Sequence, residues 1–301
     1  MLHVRNLKMY YEVGSSYVRA IDGVSFSLGK AETLGIVGES GCGKSSLAAT
    51  LLKLLPSNAR ILDGEIIFNG IDLVKLPEER MRKEIRWKNI SIIFQGSMSA
   101  LNPVMKVGDQ IAEAILAHED EVTKREALER ATEILGLVGL DKSVAKRYPF
   151  ELSGGQRQRA MIAMALVLRP KIVIADEPTT ALDVIVQAQV LKLLESLREK
   201  LGLSLILISH DISVVSEISD RVAVMYAGKI VELGPAESVL LKPAHPYTRL
   251  LIEAVPSVKG ARKTLKHIPG QPPDLSNPPL GCRFHPRCPY ATEECRSREP
   301  E

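Results

Sequence analysis

Between residues 30 and 230 short apolar runs alternate with stretches of helical period. "TLGIV" (33–37) predicts a buried strand, and "KSSLAATLLKLL" behind it a helix. "ISIIFQ" (90–95), "KIVIAD" (171–176), "LSLILIS" (203–209) and "RVAVMY" (221–226) are further strand candidates, rich in Ile and Val and almost free of charge. Runs of that kind suit strands covered on both faces. "EIIFNG" (65–70) closes on Asn-Gly, a hairpin-turn signal. The start, "MLHVRNLKMYYEV", is polar and strand-like. Residues 104–148 differ: "EVTKREALERATEILGLVGL" is charged and helical, and predicts a helical subdomain inserted between core strands.

After about residue 234 the texture changes. Pro243, Pro246, Pro256, Pro269, Pro272, Pro273, Pro278 and Pro279 are expected to break up regular elements. A C-terminal extension over 235–301 is therefore expected. The longest apolar runs, "AMIAMALVL" and "LSLILI", fall well short of the ~18 residues that cross a bilayer. With no signal peptide at the start, the chain is expected in the cytoplasm unless a partner holds it at a membrane. The net charge of +3 is too mild to argue for nucleic acid.

Chemistry concentrates first at "GESGCGKS" (38–45). Gly38, Gly43, Lys44 and Ser45 complete the spacing G-x-x-x-x-G-K-[ST] between a predicted strand and a predicted helix. In that context main-chain N–H groups point inward at phosphate oxygens, and the helix start adds about half a positive charge. Lys44 bridges the β- and γ-phosphates in this reading, and Ser45 ligates Mg²⁺. Ser40, Gly41 and Ser46 complete the contact stretch. Cys42 reads as an interchangeable small side chain. "KIVIADEP" supplies the second part: Asp176, where the strand leaves the core, is suited to hold Mg²⁺ through water. Neighbouring strand residues face opposite sides. Glu177 must therefore turn past the strand end to polarise the attacking water.

A third segment, "LSGGQRQR" (152–159), offers a second anion-seeking helix start, with Ser153 as N-cap and a helix expected to run to Arg169. Here the resemblance becomes specific. Leu152-Ser153-Gly154-Gly155-Gln156 resembles the signature motif of ABC-type ATPases. Phe94-Gln95 resembles the Q-loop, Ala181-Leu182-Asp183 the D-loop, and Ser209-His210-Asp211 the switch-histidine segment. Tyr11 resembles the aromatic that stacks on adenine, with Tyr10 and Tyr17 as substitutes. The match spans roughly residues 1–234, with the helical subdomain at about 100–165. The resemblance implies an α/β, P-loop NTPase (RecA-like) core. It implies paired cassettes, head to tail, each ATP lying between one phosphate loop and the other cassette's signature motif. It also implies that Gln95 ligates Mg²⁺ and senses the γ-phosphate, and that His210 keeps Glu177 and the water aligned. Asp183 is read both as a D-loop acid and as the N-cap of the amphipathic helix that follows.

"FQGSMSALNPVMKVGDQIAEAI", "DEPTTALDVIVQAQVL", "KPAHPYTRLLIEAVP" and "GCRFHPRCP" resemble the oligopeptide/dipeptide importer ATPases, and "IPGQPPDLSNPP" leans toward their D-type subunit. The implied partners are a second homologous ATPase subunit (F-type), two membrane permease subunits and an extracytoplasmic substrate-binding protein, with this chain peripheral at the cytoplasmic face. Relatives that import nickel or oligosaccharides leave the cargo open. The surface that couples to the permeases is expected near Ser97–Gly108. A GTPase would need an N-K-x-D motif, and none is present. A non-transport ABC ATPase is the serious alternative.

Cys282, Cys288 and Cys295 lack a C-x-x-C pair, so a zinc ribbon is poorly supported. Similar tails hold a [4Fe-4S] cluster on four cysteines, against three here. The resemblance thus raises a cluster on Cys282, Cys288 and Cys295, a zinc site using His285, or free thiols.

Overall fold

Asn69 and Gly70 both adopt positive φ, 48° and 86°, the backbone twist that a two-residue hairpin demands. They join strand β4 (Ala59–Phe68) to the short β5 (Ile71–Asp72), with Phe68 opposite Ile71. The computed structural model describes residues 1–96, 100–254 and 268–300. Ser97 of the expected coupling surface and Pro256 therefore lie outside the described residues.

The chain forms two units. The first holds residues 1–29, 33–75 and 208–300. Its antiparallel sheet runs β2-β1-β4-β5, where β1 is Leu2–Val13 and β2 is Ser16–Leu28. A second run of strands has the order β10-β9-β3: β3 (Thr33–Val37), β9 (Arg221–Tyr226) and β10 (Lys229–Pro235). β3 pairs parallel with β9 and is buried along its whole length. Helix α1 (Lys44–Leu51) follows β3. It ends before the expected Leu55, because Lys53 turns to φ 52°.

The second unit holds residues 30–32 and 76–207. Helix α2 (Glu78–Arg80) leads through a π turn to β6 (Ile90–Ile93), which pairs parallel with β7 (Ile172–Asp176). β8 (Ser204–Ser209), whose Ser204 N–H donates to the Lys171 carbonyl at 2.9 Å, runs beside β7. The helices between β6 and β7 are α3 (Val107–Leu116), α4 (Lys124–Leu137) and α5 (Gly154–Leu166), packed on one another. Thr123 and Glu126 close a capping box on α4, and Ala127, Ala131 and Leu135 form its buried stripe at spacings of four. α5 stops at Leu166, short of the expected Arg169, which adopts φ 53° ahead of Pro170. α6 (Val184–Leu201) starts on Asp183 and ends on Gly202 at φ 63°.

The tail departs from the expectation that its prolines exclude regular structure. In the first unit, α7 (Ile212–Ile218) and β10 lead to α8 (Ala236–Leu241), α9 (Pro246–Glu253) and α10 (Glu293–Ser297). Pro246 opens α9 instead of breaking it. At the first helical position the missing N–H costs nothing and φ is already set. Tyr247 and Phe284 from the tail join Tyr226 and Val37 in one buried cluster, with ring centroids 4.6 Å (Tyr226–Tyr247), 5.2 Å (Tyr226–Phe284) and 5.3 Å (Tyr247–Phe284) apart. Phe284→Ala is expected to lower unfolding stability by about 3–5 kcal/mol, read from the urea midpoint. A loss under ~1 kcal/mol would mean the tail does not share this core.

Candidate functional site

In the first unit, the segment between β3 and α1 is closed on itself and on its neighbours. A Cβ on Gly38 would lie 2.0 Å from the Met225 carbonyl oxygen, and one on Gly43 2.1 Å from that of Ala20. Gly43 also holds φ at 108°. Only glycine fits at either position. Lys44 is buried, and its Nζ donates to the Gly38 carbonyl at 2.7 Å and the Glu39 carbonyl at 2.9 Å. That fold-back makes a ring of main chain around one ammonium group. Cys42 is buried beneath the ring with its thiol pushed up by desolvation, so it stays protonated and neutral. Ser40, Gly41 and Ser45 are exposed. Tyr11 Oη lies 3.0 Å from Ser46 Oγ, whereas Tyr10 Oη donates to Asp22 at 2.8 Å and the Tyr10 ring lies tilted against that of Tyr17. His210 is exposed directly after β8.

In the second unit, Asp176 is the buried last residue of β7. Glu177 follows with φ 48°, a left-handed conformation that an L-residue takes up only when its surroundings enforce it. That turn carries its carboxylate to Gln95 and Thr180: Gln95 Nε2 donates to Oε2 at 2.8 Å, and Thr180 Oγ1 at 2.9 Å. Ser153 caps α5: its Oγ accepts from the Gln156 N–H at 3.4 Å, while Gln156 Oε1 accepts from the Ser153 N–H at 3.0 Å. Gly154 begins the helix, and a Cβ on Gly155 would meet Val186 at 2.7 Å. Asp183 caps α6, accepting from the Val186 N–H at 2.9 Å.

A sequence profile of the ABC transporter family matches residues 21–180. The chain belongs to the ABC transporter family. A second profile, of the oligopeptide/dipeptide transporter C-terminal region, matches residues 231–295. Similar proteins include the oligopeptide transport ATP-binding protein OppD of Escherichia coli (strain K12), 47% identical over all of this chain and 89% of that protein. The dipeptide transport ATP-binding protein DppD of Bacillus subtilis (strain 168) is 47% identical over 98% of this chain and 88% of its own length. Among solved structures, a dimeric ATP-binding cassette in a post-hydrolysis state, bound to ADP and Pi, shares 28% identity and a TM-score of 0.69 over 78% of this chain and 99% of that one. The fold is that of an ABC ATPase cassette, and the chain is an ATPase.

The side chains expected to face Mg²⁺ carry a hydroxyl (Ser45), an amide oxygen (Gln95) and a carboxylate (Asp176). They are hard oxygen ligands of the type that ion prefers. The cysteine expectation is different. Among the described residues no set of three His, Cys, Asp or Glu side chains is placed to hold a metal ion. Cys282, Cys288 and Cys295 form no disulfide; burial pushes the Cys282 and Cys288 thiols up, while a hydrogen bond with the Thr292 side chain pulls Cys295 down. The iron–sulfur cluster and the zinc site using His285 thus find no support among the described residues. Sequence reasoning missed Thr180, though it stands three residues after Glu177, within reach of a turn. It also missed Glu39, Tyr247 and Arg287, whose contacts join distant segments.

Proposed function

We propose that this chain is the ATP-hydrolysing motor subunit, of D type, of a membrane importer for dipeptides or oligopeptides. It lies peripherally at the cytoplasmic face, paired with a homologous F-type ATPase subunit, under two permease subunits fed by an extracytoplasmic binding protein. The catalytic cassette is residues 1–234, with a helical subdomain at about 100–165, and the extension is 235–301. The observation that carries this reading is the end-to-end agreement: both profiles and the full-length relatives run through the loop, the acids and the tail in one order. No described helix is long and apolar enough to cross a membrane, which fits a peripheral subunit.

In this mechanism the ring around Lys44 grips the β- and γ-phosphates of ATP through main-chain N–H groups, the ammonium and the α1 start. Tyr11 stacks on adenine. Ser45, Gln95 and Asp176 would hold Mg²⁺, and the ion would supply positive charge to offset that of the phosphate oxygens. Glu177 accepts a hydrogen bond from the attacking water and aims its oxygen at the γ-phosphorus. The bond to the β-phosphate oxygen breaks, leaving ADP and phosphate. His210 hydrogen-bonds the γ-phosphate and keeps water and Glu177 aligned. Ser153, Gly154, Gly155, Gln156 and Asp183 serve the ATP held by the partner subunit. Gln95, which already donates to Glu177, is the natural sensor of the γ-phosphate.

Since each site borrows a signature motif, the chain alone is expected to turn over ATP slowly. Its rate per subunit is expected to rise when the F-type partner and the permeases co-purify with it. ATPase assays across a dilution series check this. Full turnover by dilute monomer, or failure to co-purify with membrane subunits, would sink the assignment.

A further inference from the structure

Every polar handle of Glu39, in the phosphate loop, is occupied within the first unit. Its N–H donates to Tyr247 Oη at 2.8 Å, and its carbonyl accepts from Lys44 Nζ at 2.9 Å. Its carboxylate accepts two hydrogen bonds from Arg287, at 2.6 Å from Nη1 and 2.9 Å from Nη2. Two of those partners come from the tail, one from "HPYTR" and one from "HPRCP", segments that the hydrolytic chemistry does not use.

Neither tail residue is free to move away. The Arg287 side chain is only 4% exposed; its Nε donates to the Pro269 carbonyl at 2.7 Å, and its guanidinium sits 5.7 Å from the Tyr226 ring centre. Tyr247 is fully buried. A bidentate Arg–carboxylate pair fixes orientation as well as charge. The charge matters, because a carboxylate beside a loop that grips a polyanion opposes binding unless a cation offsets it.

We propose that Arg287 and Tyr247 are positioning residues for nucleotide binding, acting through Glu39 to hold the phosphate loop in shape and to neutralise its one acid. The tail is then part of the ATP site, and not only a cover on the core. This inference rests on the phosphate-loop reading above.

The test measures affinity of the full chain for a fluorescent ATP analogue with Mg²⁺, alongside the melting temperature without ligand. Arg287→Ala is expected to weaken binding about tenfold or more, since the half-buried Glu39 carboxylate is left uncompensated beside the bound polyanion. Tyr247→Phe, which keeps the ring packing, is expected to weaken it about threefold, the loss of one neutral hydrogen bond. Adding Glu39→Gln to Arg287→Ala is expected to restore affinity to within about threefold of native, with little change in melting temperature. A tail that merely glues the fold would lower melting temperature and leave affinity alone. Native affinity in Arg287→Ala, or a loss that Glu39→Gln does not relieve, would overturn the proposal. Where Arg287→Ala fails to fold, Arg287→Lys and Tyr247→Phe decide, and native affinity in both overturns it. If native protein binds no analogue, the phosphate-loop reading falls and takes this one with it. If native binds and the variants match it, this inference alone falls.

Discussion

Lys44→Ala is expected to remove nucleotide binding, weakening the affinity of the full chain for ATP by roughly 100-fold or more. The ammonium is buried and already donates to two loop carbonyls, so it presents its charge from a fixed point. A charge-assisted hydrogen bond contributes about 1.5–3 kcal/mol, and each 1.4 kcal/mol is a factor of about ten. Removing the hydrogen bonds to both the β- and the γ-phosphate accounts for the expected drop. The variant also takes one donor each from the Gly38 and Glu39 carbonyls, loosening the ring that orients the amides. Equilibrium titration with a fluorescent analogue reads the effect. Binding within threefold of native would mean that the triphosphate is held elsewhere.

Glu177→Gln should separate binding from hydrolysis. Glutamine keeps the length of the side chain and an oxygen that can accept from Gln95 and Thr180, so the left-handed turn at residue 177 has its partners still. What disappears is the charge that, in the proposed mechanism, polarises water. Removing a positioned catalytic group costs about 10²–10⁴ in rate. Turnover of the assembled transporter is expected to fall by that factor, while affinity for ATP changes less than about threefold and nucleotide stays trapped. Single-turnover measurements separate the two steps. Hydrolysis at the native rate would remove Glu177 from the mechanism.

Much of this site is readable in the chain because local rules place it. The strands β3, β6, β7, β8 and β9 announce themselves as Ile- and Val-rich runs, since strands buried on both faces carry no polar alternation. Asn69-Gly70 gives the hairpin, and Ser153 and Asp183 give their helix starts, because turn and cap chemistry acts within three residues. β2 escapes that reading. "SYVRAIDGVSFSL" mixes charged and apolar positions, and its pairing with β1 slips register after Val4, after Leu7 and after Met9. No simple period survives those slips. The hydrogen bond from Gln95 to Glu177 joins residues 82 positions apart, and only tertiary structure brings them together. The tail misleads for a local reason: Pro246 reads as a breaker, yet its position makes it a starter.

The ties at Glu39 reach across 208 residues to Tyr247 and 248 residues to Arg287. Ribosomes make a chain in one direction at about 5–20 residues per second, and contacts of such sequence separation close late. The loop proposed to grip triphosphate thus emerges well before the groups proposed to brace it. Until Arg287 leaves the exit tunnel the newborn cassette carries an unbraced loop, and its full affinity for nucleotide is expected only after that point.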